Sequence, residues 1–306
     1  MIYTVTLNPA IDYVMTLPEF KEGAVNRSCA EEIFFGGKGI NVSIILNRLG
    51  VPSTALGFIA GFTGEAIEQG LFAEGISADF VRLPTGNSRI NVKLNAVQET
   101  EINGQGPKIT EDNLRQLFQK LGSLTQGDVL ILAGSVPQTL PNDIYEQILS
   151  RLSDRGILSV VDAAGALLTN VLKYRPFLIK PNHIELGEIF RTEIASFEQA
   201  AKYAGELQKQ GAQNVLVSMG AQGAVLLDES GTVIPMKAPQ GTAVNTVGAG
   251  DSMLAGFVAG YLERSDYFRA LSLATAAGAA TAFSKGLAEK ELIYRLLGEV
   301  TKNEEK

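Results

Sequence analysis

The sequence is poor in the side chains that most metal and nucleophilic centres use. Its 306 residues include one cysteine, one histidine and no tryptophan. A single cysteine, Cys29, excludes a disulfide within the chain and a zinc site built from cysteines. A histidine-rich metal site is excluded as well, and a Ser-His-Asp triad would have to use His183 itself.

Clusters of basic residues and long apolar runs are also missing. The formal net charge is −7 and the lysines and arginines are scattered, so the basic stripe of a sequence-independent nucleic-acid binder is absent. No apolar run reaches the roughly 18 residues of a membrane span. The start, "MIYTVTLNPAID", lacks the basic and apolar regions of a signal peptide. We therefore expect no nucleic-acid partner, no membrane segment and a cytoplasmic location.

What the sequence does contain is a regular alternation of short apolar runs and longer helical patterns. Strands are predicted at residues 2–7, 54–60, 128–134, 158–163, 177–180 and 214–220. Helices are predicted at residues 39–49, 63–74, 110–122, 141–155, 196–210, 251–263, 267–283 and 289–298. Strands that are apolar throughout are typical of a parallel sheet covered on both faces. The order predicts an α/β fold with a doubly wound, mostly parallel sheet.

Two segments depart from this pattern. Residues 11–20 and 87–96 alternate polar and apolar side chains, which is typical of an antiparallel sheet with one solvated face. We expect a small β-sheet that acts as a lid over the carboxyl ends of the main strands. No linker is visible, so the prediction is one domain, 1–306, with the lid inserted near 10–35 and 85–105. Exposed lid edges could pair with a second subunit, which makes a homodimer through the lid a further expectation.

The first motif is "FFGGKGINVS", a glycine-rich loop that leads directly into a predicted helix. Gly36, Gly37 and Gly39 allow close approach of a ligand to the backbone. The free N–H groups of the helix start favour an anion, and Lys38 adds a positive charge. The alternative is an ordinary glycine turn with a solvated lysine.

The second motif, "NTVGAGD", also precedes a predicted helix. Successive N–H groups at Ala249, Gly250 and Asp251 could form a nest that holds a transferring phosphoryl group. Asp251 could then accept the proton of an attacking hydroxyl. The local pattern is equally compatible with an aspartate that only stabilises the first helical turn.

Two further motifs follow predicted strands. In "IKPNHIEL", Asn182 and Glu185 lie three residues apart and could hold a hydrated Mg²⁺. The same spacing is that of a helix capping box, which spacing alone favours. In "SMGAQGA", Gly220 and Gly223 could let the backbone approach a nucleotide phosphate, or could form a simple hairpin turn.

In combination and order, the GGKGIN loop, the NxxE motif and the GAGD motif resemble those of the ribokinase-type (PfkB) carbohydrate kinases, over essentially the whole chain. The opening "TVTLNPAID" and the lysine of "GGKGINVS" are similar to the phosphosugar branch. The resemblance implies a ribokinase-like fold, ATP and Mg²⁺, and phosphorylation of a ketohexose monophosphate, foremost D-fructose 1-phosphate to fructose 1,6-bisphosphate. Tagatose 6-phosphate as substrate, and a non-catalytic sugar-phosphate sensor, remain open alternatives.

The resemblance also implies residue roles. Asp251 matches the catalytic base, and the anion hole is matched by Gly248, Ala249 and Gly250. The sugar pocket is matched by Asp12, Gly36, Gly37 and Asn41. The nucleotide and its Mg²⁺ are matched by Lys180, Asn182, Glu185, Ser218, Gly220 and Gly223, and the adenine pocket by Ala276 and Ser284.

A kinase for a sugar phosphate must hold a dianion while a second polyanion enters. Lys38, and Arg27 and Arg89 on the predicted lid, could supply the positive charge. Arg89 could clamp two phosphate oxygens at once. The alternative is three unrelated surface cations. The chain departs from the family at Phe35, where many relatives have proline, and at Asn245, where ribose-type kinases have aspartate.

Overall fold

The computed structural model describes residues 1–304, in which fourteen strands and ten α-helices are found. The strands are β1 Ile2–Thr6, β2 Ala10–Thr16, β3 Ala30–Gly36, β4 Thr54–Ala60, β5 Ser77–Ala78, β6 Val81–Leu83, β7 Arg89–Asn95, β8 Thr100–Asn103, β9 Val129–Ala133, β10 Leu158–Asp162, β11 Leu178–Ile179, β12 Asn214–Ser218, β13 Gly223–Leu227 and β14 Val233–Lys237. The helices are α1 Lys38–Arg48, α2 Gly61–Ala73, α3 Glu111–Leu121, α4 Ile144–Leu152, α5 Gly165–Thr169, α6 His183–Phe190, α7 Phe197–Lys209, α8 Ala249–Arg264, α9 Tyr267–Ala282 and α10 Lys290–Glu304.

The main sheet has the strand order β14-β13-β12-β11-β10-β9-β1-β4-β5, and β6 also pairs with β4. All pairs from β12 to β5 are parallel, whereas β13 and β14 add an antiparallel edge. The six predicted main strands correspond to β1, β4 and β9 to β12, and the eight predicted helices to α1–α4 and α7–α10. The predicted α/β class is confirmed. The sequence did not predict α5, the short strands β5 and β6 or the β13–β14 hairpin, and it indicated α6 only through the capping box at its start.

Helices cover both faces of the sheet and create two cores. Leu130 and Leu132 of β9 belong to the core under α3, α4 and α7. Val129 and Ile131, which alternate with them, belong to the core under α1 and α8 to α10. Successive side chains of a strand point to opposite faces. A strand with a core on each side must therefore be apolar throughout, which explains the predicted runs.

The position of β1 fixes where a ligand can bind. β1 pairs with β4 on one side and with β9 on the other, so the strand order reverses there. In open α/β sheets, ligands bind at the carboxyl ends of strands beside such a reversal. The loops after β1, β10 and β11 open onto this edge.

The small sheet has the order β3-β2-β7-β8 and is built from the two predicted segments. Its directions differ from the prediction. β2 and β7, the predicted pair, run parallel to each other, and each is antiparallel to its own hairpin partner, β3 or β8. Alternation of polar and apolar residues reveals a half-solvated strand but carries no information on direction. The chain crosses the main sheet between β3 and β7, and this long connection makes a parallel pair possible.

Within residues 1–304, none of the helices combines the length and the apolar character needed to cross a bilayer.

Candidate active site

The first glycine loop lies directly against the end of β1. Gly37 has a φ of 122°, and a Cβ there would lie 2.5 Å from Cγ2 of Thr6. The same threonine accepts a hydrogen bond at Oγ1 from the N–H of Ile40, at 3.0 Å. Only glycine can follow this path. The loop therefore holds the start of α1 at the strand edge, where Lys38 and Asn41 emerge.

Asp251 lies in the first turn of α8, and its contacts show whether it caps the helix. The N-cap residue is Gly248, with a φ of 78°, and no side chain caps the helix. The Asp251 carboxylate instead accepts a 2.7 Å hydrogen bond from Nδ2 of Asn41, and the residue is buried. Asn41 is fixed by the glycine loop through α1. The carboxylate is thus held by another segment and serves no capping role.

The loop before Asp251 offers two unused backbone donors. The N–H of Ala249 donates to the carbonyl of Thr246 at 3.2 Å, so it is already engaged. Within residues 1–304, the N–H groups of Gly250 and Asp251 have no hydrogen-bond partner. An anion nest was expected from the N–H groups of Ala249, Gly250 and Asp251. Only those of Gly250 and Asp251 are free to bind an anion beside the carboxylate.

The structure adds a residue that the sequence reading missed, Asp162 at the end of β10. Its buried carboxylate lies between two ammonium groups, with Lys38 Nζ 3.0 Å from Oδ1 and Lys180 Nζ 3.2 Å from Oδ2. Lys180 also faces the second loop, since a Cβ on Gly250 would lie 3.2 Å from its Nζ. A polar residue that ends a buried parallel strand was the one signal available.

These charges set the protonation of the site. Burial raises the pKa of Asp251 to about 6, and the nearby charge of Asp162 acts in the same direction, while Lys38 and Asn41 oppose the shift. Burial would also raise the pKa of Asp162, but Lys180 and Lys38 outweigh it and hold this pKa below its usual range. Burial would lower the pKa of Lys38, yet Asp162 and Asp251 keep it above normal. The site therefore combines one ionised carboxylate, two ammonium groups and one carboxylate with a pKa suited to proton transfer.

The lid carries a second polar group of residues. Because β2 and β7 pair in register, Asp12 lies beside Asn91, and Arg89 beside Ala10, on one face of the lid. Asn91 donates from Nδ2 to Oδ1 of Asp12 at 2.8 Å, and Lys93 Nζ lies 3.8 Å from Oδ2. Gly36 lies on the same face, since a Cβ there would come 2.9 Å from Asp12 Oδ2. Asn91 and Lys93 were not predicted.

The predicted phosphate-binding cations do not lie together. Arg89 donates from Nε to the carbonyl of Asn8 at 3.0 Å, next to the polar lid face, and burial lowers the pKa of its guanidinium. Lys38 extends towards Asp162 and the strand edge. Arg27 is exposed between β2 and β3 and makes no ion pair within residues 1–304. Arg89 thus lies on the small sheet, and Lys38 lies at the edge of the main sheet.

Asn182 and Glu185 form the capping box that their spacing favoured. Asn182 Oδ1 accepts from the N–H of Glu185 at 2.8 Å, and Glu185 Oε2 accepts from the N–H of Asn182 at 2.8 Å. This cap starts α6 directly after Lys180. The cap and a role near the nucleotide are compatible, because the second carboxylate oxygen of Glu185 is not used by the cap.

The predicted nucleotide residues are dispersed along one side of this edge. Ser218 ends β12 beside Asn182 and leads into a hairpin in which the N–H of Met219 donates to the carbonyl of Gly223 at 2.8 Å. Gly220, with a φ of 58°, has open space around it. Ser284 borders a surface cavity of about 570 Å³. Ala276 is fully buried among core side chains, so its predicted contact with adenine is not supported by its placement.

The geometry of the site points to a class of protein. A buried carboxylate, two free N–H donors and two ammonium groups converge at a strand edge beside the polar face of the small sheet, an arrangement suited to phosphoryl transfer. Residues 5–292 match the pfkB family carbohydrate kinases, and the chain belongs to this family. It is therefore a sugar kinase, for which ATP is the phosphoryl donor.

Known proteins resemble the chain along its whole length. It is 45% identical over 300 residues to 1-phosphofructokinase of Bacillus subtilis, covering 98% of each chain. It is 40% identical to D-tagatose-1-phosphate kinase of Bacillus licheniformis, covering 94% of this chain and 95% of that one. The crystal structure of phosphofructokinase-2 from Escherichia coli in complex with substrates and products superposes with a TM-score of 0.92 at 28% identity, over 98% of this chain and 99% of that one.

Proposed function

We propose that this kinase transfers the γ-phosphoryl group of ATP to the 6-hydroxyl of D-fructose 1-phosphate, giving fructose 1,6-bisphosphate and ADP. The observation that carries the proposal is the placement of Asp251, buried and held by Asn41 rather than used as a cap. The similarity to a 1-phosphofructokinase along nearly the whole chain supports the choice of substrate.

In the proposed reaction, Asp251 accepts the proton of the 6-hydroxyl as that oxygen attacks the γ-phosphorus. The new O–P bond forms while the bond to the β-phosphate oxygen breaks, and ADP leaves. The free N–H groups of Gly250 and Asp251 face the charge that develops on the transferring group. Lys38 and Lys180 lie beside the same loop and balance that charge. We therefore assign Lys38 to the transferring phosphoryl group rather than to the sugar's own phosphate.

A magnesium ion fits beside these residues. Asp162 Oδ2 is buried and makes no well-aligned hydrogen bond within residues 1–304, its near neighbour being the Lys180 ammonium at 3.2 Å, and Glu185 retains one carboxylate oxygen. No three acidic, histidine or cysteine side chains cluster in the described part of the chain. This donor set suits Mg²⁺, which keeps several waters and combines one or two carboxylates with substrate phosphates. When bound, Mg²⁺ would neutralise phosphate charge; Asn182 would orient Glu185 through the cap.

The lid residues are proposed to hold the sugar. Arg89 has unused guanidinium donors beside Asp12 and would bind the phosphate on carbon 1. Asp12, fixed by Asn91, would accept from sugar hydroxyls together with Gly36 and Gly37 nearby. Arg27 remains a weaker candidate for the same phosphate. On the nucleotide side, Ser218, Gly220, Gly223 and Ser284 are proposed to contact ATP.

Tagatose 1-phosphate is a second candidate substrate, because one of the relatives is named for it. Both sugars carry the phosphate on carbon 1, so the attacking hydroxyl lies at the opposite end in each. Tagatose 6-phosphate would have to bind in the reverse direction, with its phosphate at Arg89 and carbon 1 at Asp251. A non-catalytic sensor would bind these ligands without consuming ATP.

The substrate proposal is tested by ADP release with a panel of sugars. The panel contains fructose 1-phosphate, tagatose 1-phosphate, fructose 6-phosphate, tagatose 6-phosphate and free fructose. We expect the highest kcat/KM with fructose 1-phosphate. A higher kcat/KM with either 6-phosphate would contradict the proposal, and binding without ADP release would identify a sensor.

The raised pKa of Asp251 predicts the pH dependence. The base must be ionised, so kcat/KM should fall about tenfold per unit as the pH drops below about 6. The phosphate of the sugar also ionises near pH 6. A variant is therefore needed to show which of the two groups causes the loss of kcat/KM at low pH. Asn41 lowers the pKa of Asp251, and Asn41→Ala should therefore move the acid limb to higher pH. An acid limb that does not move with this substitution would exclude Asp251 as its source.

We also propose that the protein is a homodimer that pairs through the lid. Ile33, Ile90 and Ile102 share the lid face opposite Asp12, and they are 55%, 42% and 59% exposed. Isoleucines on an open sheet face are typical of an interaction surface. A cytoplasmic location is proposed as well, because that is where ATP and sugar phosphates are found.

The dimer is tested by light scattering after size-exclusion chromatography. The wild-type mass should be twice that of the chain, and Ile33→Lys with Ile102→Lys should halve it. Phe72→Lys on α2, which replaces an apolar side chain that is also exposed, is the control and should leave the mass unchanged. A monomeric wild-type protein at micromolar concentration would refute the proposal.

A further inference from the structure

A mostly buried arginine links α1 to the turn between α9 and α10. Arg48 is the last residue of α1, and only 18% of its side chain is exposed. Its Nη1 donates to the carbonyl of Leu287 at 2.6 Å and to that of Ala288 at 3.1 Å. It also lies 3.2 Å from Glu289 and 3.7 Å from Glu74. Cations near a helix C-terminus are common, but these carbonyls belong to a segment 239 and 240 residues further along the chain.

The turn that Arg48 holds, residues 284–288, packs behind the catalytic loop. A Cβ on Gly248 would lie 2.6 Å from Cδ2 of Leu287, so the leucine side chain rests against the N-cap glycine of α8. Asn245, at the start of the loop, donates from Nδ2 to the carbonyl of Lys285 at 2.9 Å. The turn therefore contacts both ends of the segment that presents the free N–H groups.

A third connection joins the turn to the residue after the base. Thr281 Oγ1 accepts from the N–H of Ala288 at 3.1 Å and lies 2.7 Å from Oγ of Ser252. All of these groups are buried. Ser252 directly follows Asp251 in α8, so these hydrogen bonds tie the turn to the helical turn that carries Asp251.

Helix α1 thus reaches the catalytic loop from both ends. Its first turns carry Asn41, which holds the carboxylate of Asp251, and its last residue fixes the turn behind the N–H groups. We propose that Arg48 is a positioning residue for phosphoryl transfer. By clamping two carbonyls of the turn, it holds Leu287 against Gly248 and keeps the N–H groups of Gly250 and Asp251 in place.

The proposal predicts a specific kinetic signature. Donors aimed at developing charge act in the transition state, so their displacement lowers kcat more than it weakens substrate binding. Misplacement of such groups by about 1 Å is sufficient to cost on the order of 100-fold in rate. The inference rests on the proposed role of the loop. It applies to whichever phosphosugar the wild-type enzyme turns over best, so the outcome of the sugar panel does not decide it.

The test compares steady-state kinetics of Arg48 variants with the best phosphosugar of the wild-type enzyme. Arg48→Met keeps the aliphatic stem but removes the donors, and kcat should fall 10- to 100-fold with the KM for the phosphosugar within about threefold of wild type. Arg48→Lys keeps one point charge and should recover part of kcat. Glu74→Gln and Glu289→Gln remove only ion pairs with exposed carboxylates and should change kcat less than twofold.

A destabilised control separates positioning from general loss of stability. Ile148 of α4 belongs to the core on the opposite face of the sheet. Ile148→Val should therefore lower Tm without affecting the hydrogen bonds of Arg48. The inference is overturned if Arg48→Met keeps kcat within twofold, or loses it no more than a control of equal Tm. If Arg48→Met does not fold, Leu287→Ala removes the contact with Gly248 and leaves the carbonyl bonds available. It should show the same selective loss of kcat, and an unchanged kcat would equally refute the proposal.

Discussion

Asp251→Asn should lower kcat by about a thousandfold while ATP and the sugar phosphate still bind. A positioned general base contributes about 10²- to 10⁴-fold, and asparagine cannot accept the proton. The substitution preserves size and lets the amide stay near Asn41, whose Nδ2 now donates to the carboxylate at 2.7 Å. The loop that presents the free N–H groups should therefore keep its shape. Timed assays of ADP release measure the loss of kcat, and calorimetric titration with ATP measures whether binding is retained.

The same substitution should make the protein more stable at neutral pH. Burial raises the pKa of Asp251 from 3.8 to about 6, so the folded protein binds this proton more tightly than the unfolded chain does. A raised carboxyl pKa favours folding below the unfolded pKa, and this stability is lost as the pH rises through the folded value. Above about pH 6, ionised Asp251 thus costs up to about 3 kcal/mol, which Asp251→Asn removes.

The control for this prediction is Asp154→Asn, since Asp154 is exposed in the turn that follows α4. It should leave both kcat and Tm close to wild type. Asp251→Asn should raise Tm at pH 7.5 and leave it nearly unchanged at pH 4. Turnover near the wild-type rate would remove Asp251 from the role of base. A lower Tm at pH 7.5 would show that the carboxylate stabilises the loop instead.

Arg89→Met should raise the KM for fructose 1-phosphate by about 100-fold and leave the KM for ATP within about twofold. Hydrogen bonds between a guanidinium and a phosphate are charge-assisted and can be bidentate. Arg89 is anchored by Nε to the carbonyl of Asn8, which leaves its terminal donors free for a ligand on the lid face. Arg89→Lys should recover little, since an ammonium group cannot bind two phosphate oxygens in the same way.

Free fructose provides the internal test of this assignment. It lacks the phosphate, so its low kcat/KM should not change in Arg89→Met. Arg82→Met on β6, where the arginine pairs with Glu68 on the exposed surface, is the matched control and should behave as wild type. Equal losses with fructose and with fructose 1-phosphate would mean that Arg89 supports the lid rather than the phosphate.

The parts of the site that were predictable are those written in local sequence. The GGKG and GAGD loops could be found because glycine is needed where the backbone turns tightly, as Gly37 and Gly248 show with φ values of 122° and 78°. The main strands could be found because two cores make them apolar throughout. The capping box at Asn182 was equally visible, since it depends on a spacing of three residues.

The remaining features depend on which segments meet in space. In the sequence, Asp162 is only a polar residue at the end of a predicted strand. Its importance follows from its ion pairs with Lys38, 124 residues before it, and Lys180, 18 residues after it. From the sequence, Lys38 was grouped with Arg89 because both are cationic. In the structure Lys38 lies at the edge of the main sheet, where it pairs with Asp162, and Arg89 lies on the small sheet. The parallel pairing of β2 and β7 depends on a long crossover that local alternation cannot report.

The most direct test of the central proposal is ³¹P NMR of an equimolar mixture of fructose 1-phosphate and fructose 6-phosphate during turnover with ATP. We predict that the resonance of fructose 1-phosphate disappears first while those of fructose 1,6-bisphosphate and ADP grow in step. Prior loss of the fructose 6-phosphate resonance, or ADP formation without any bisphosphate, would contradict the account.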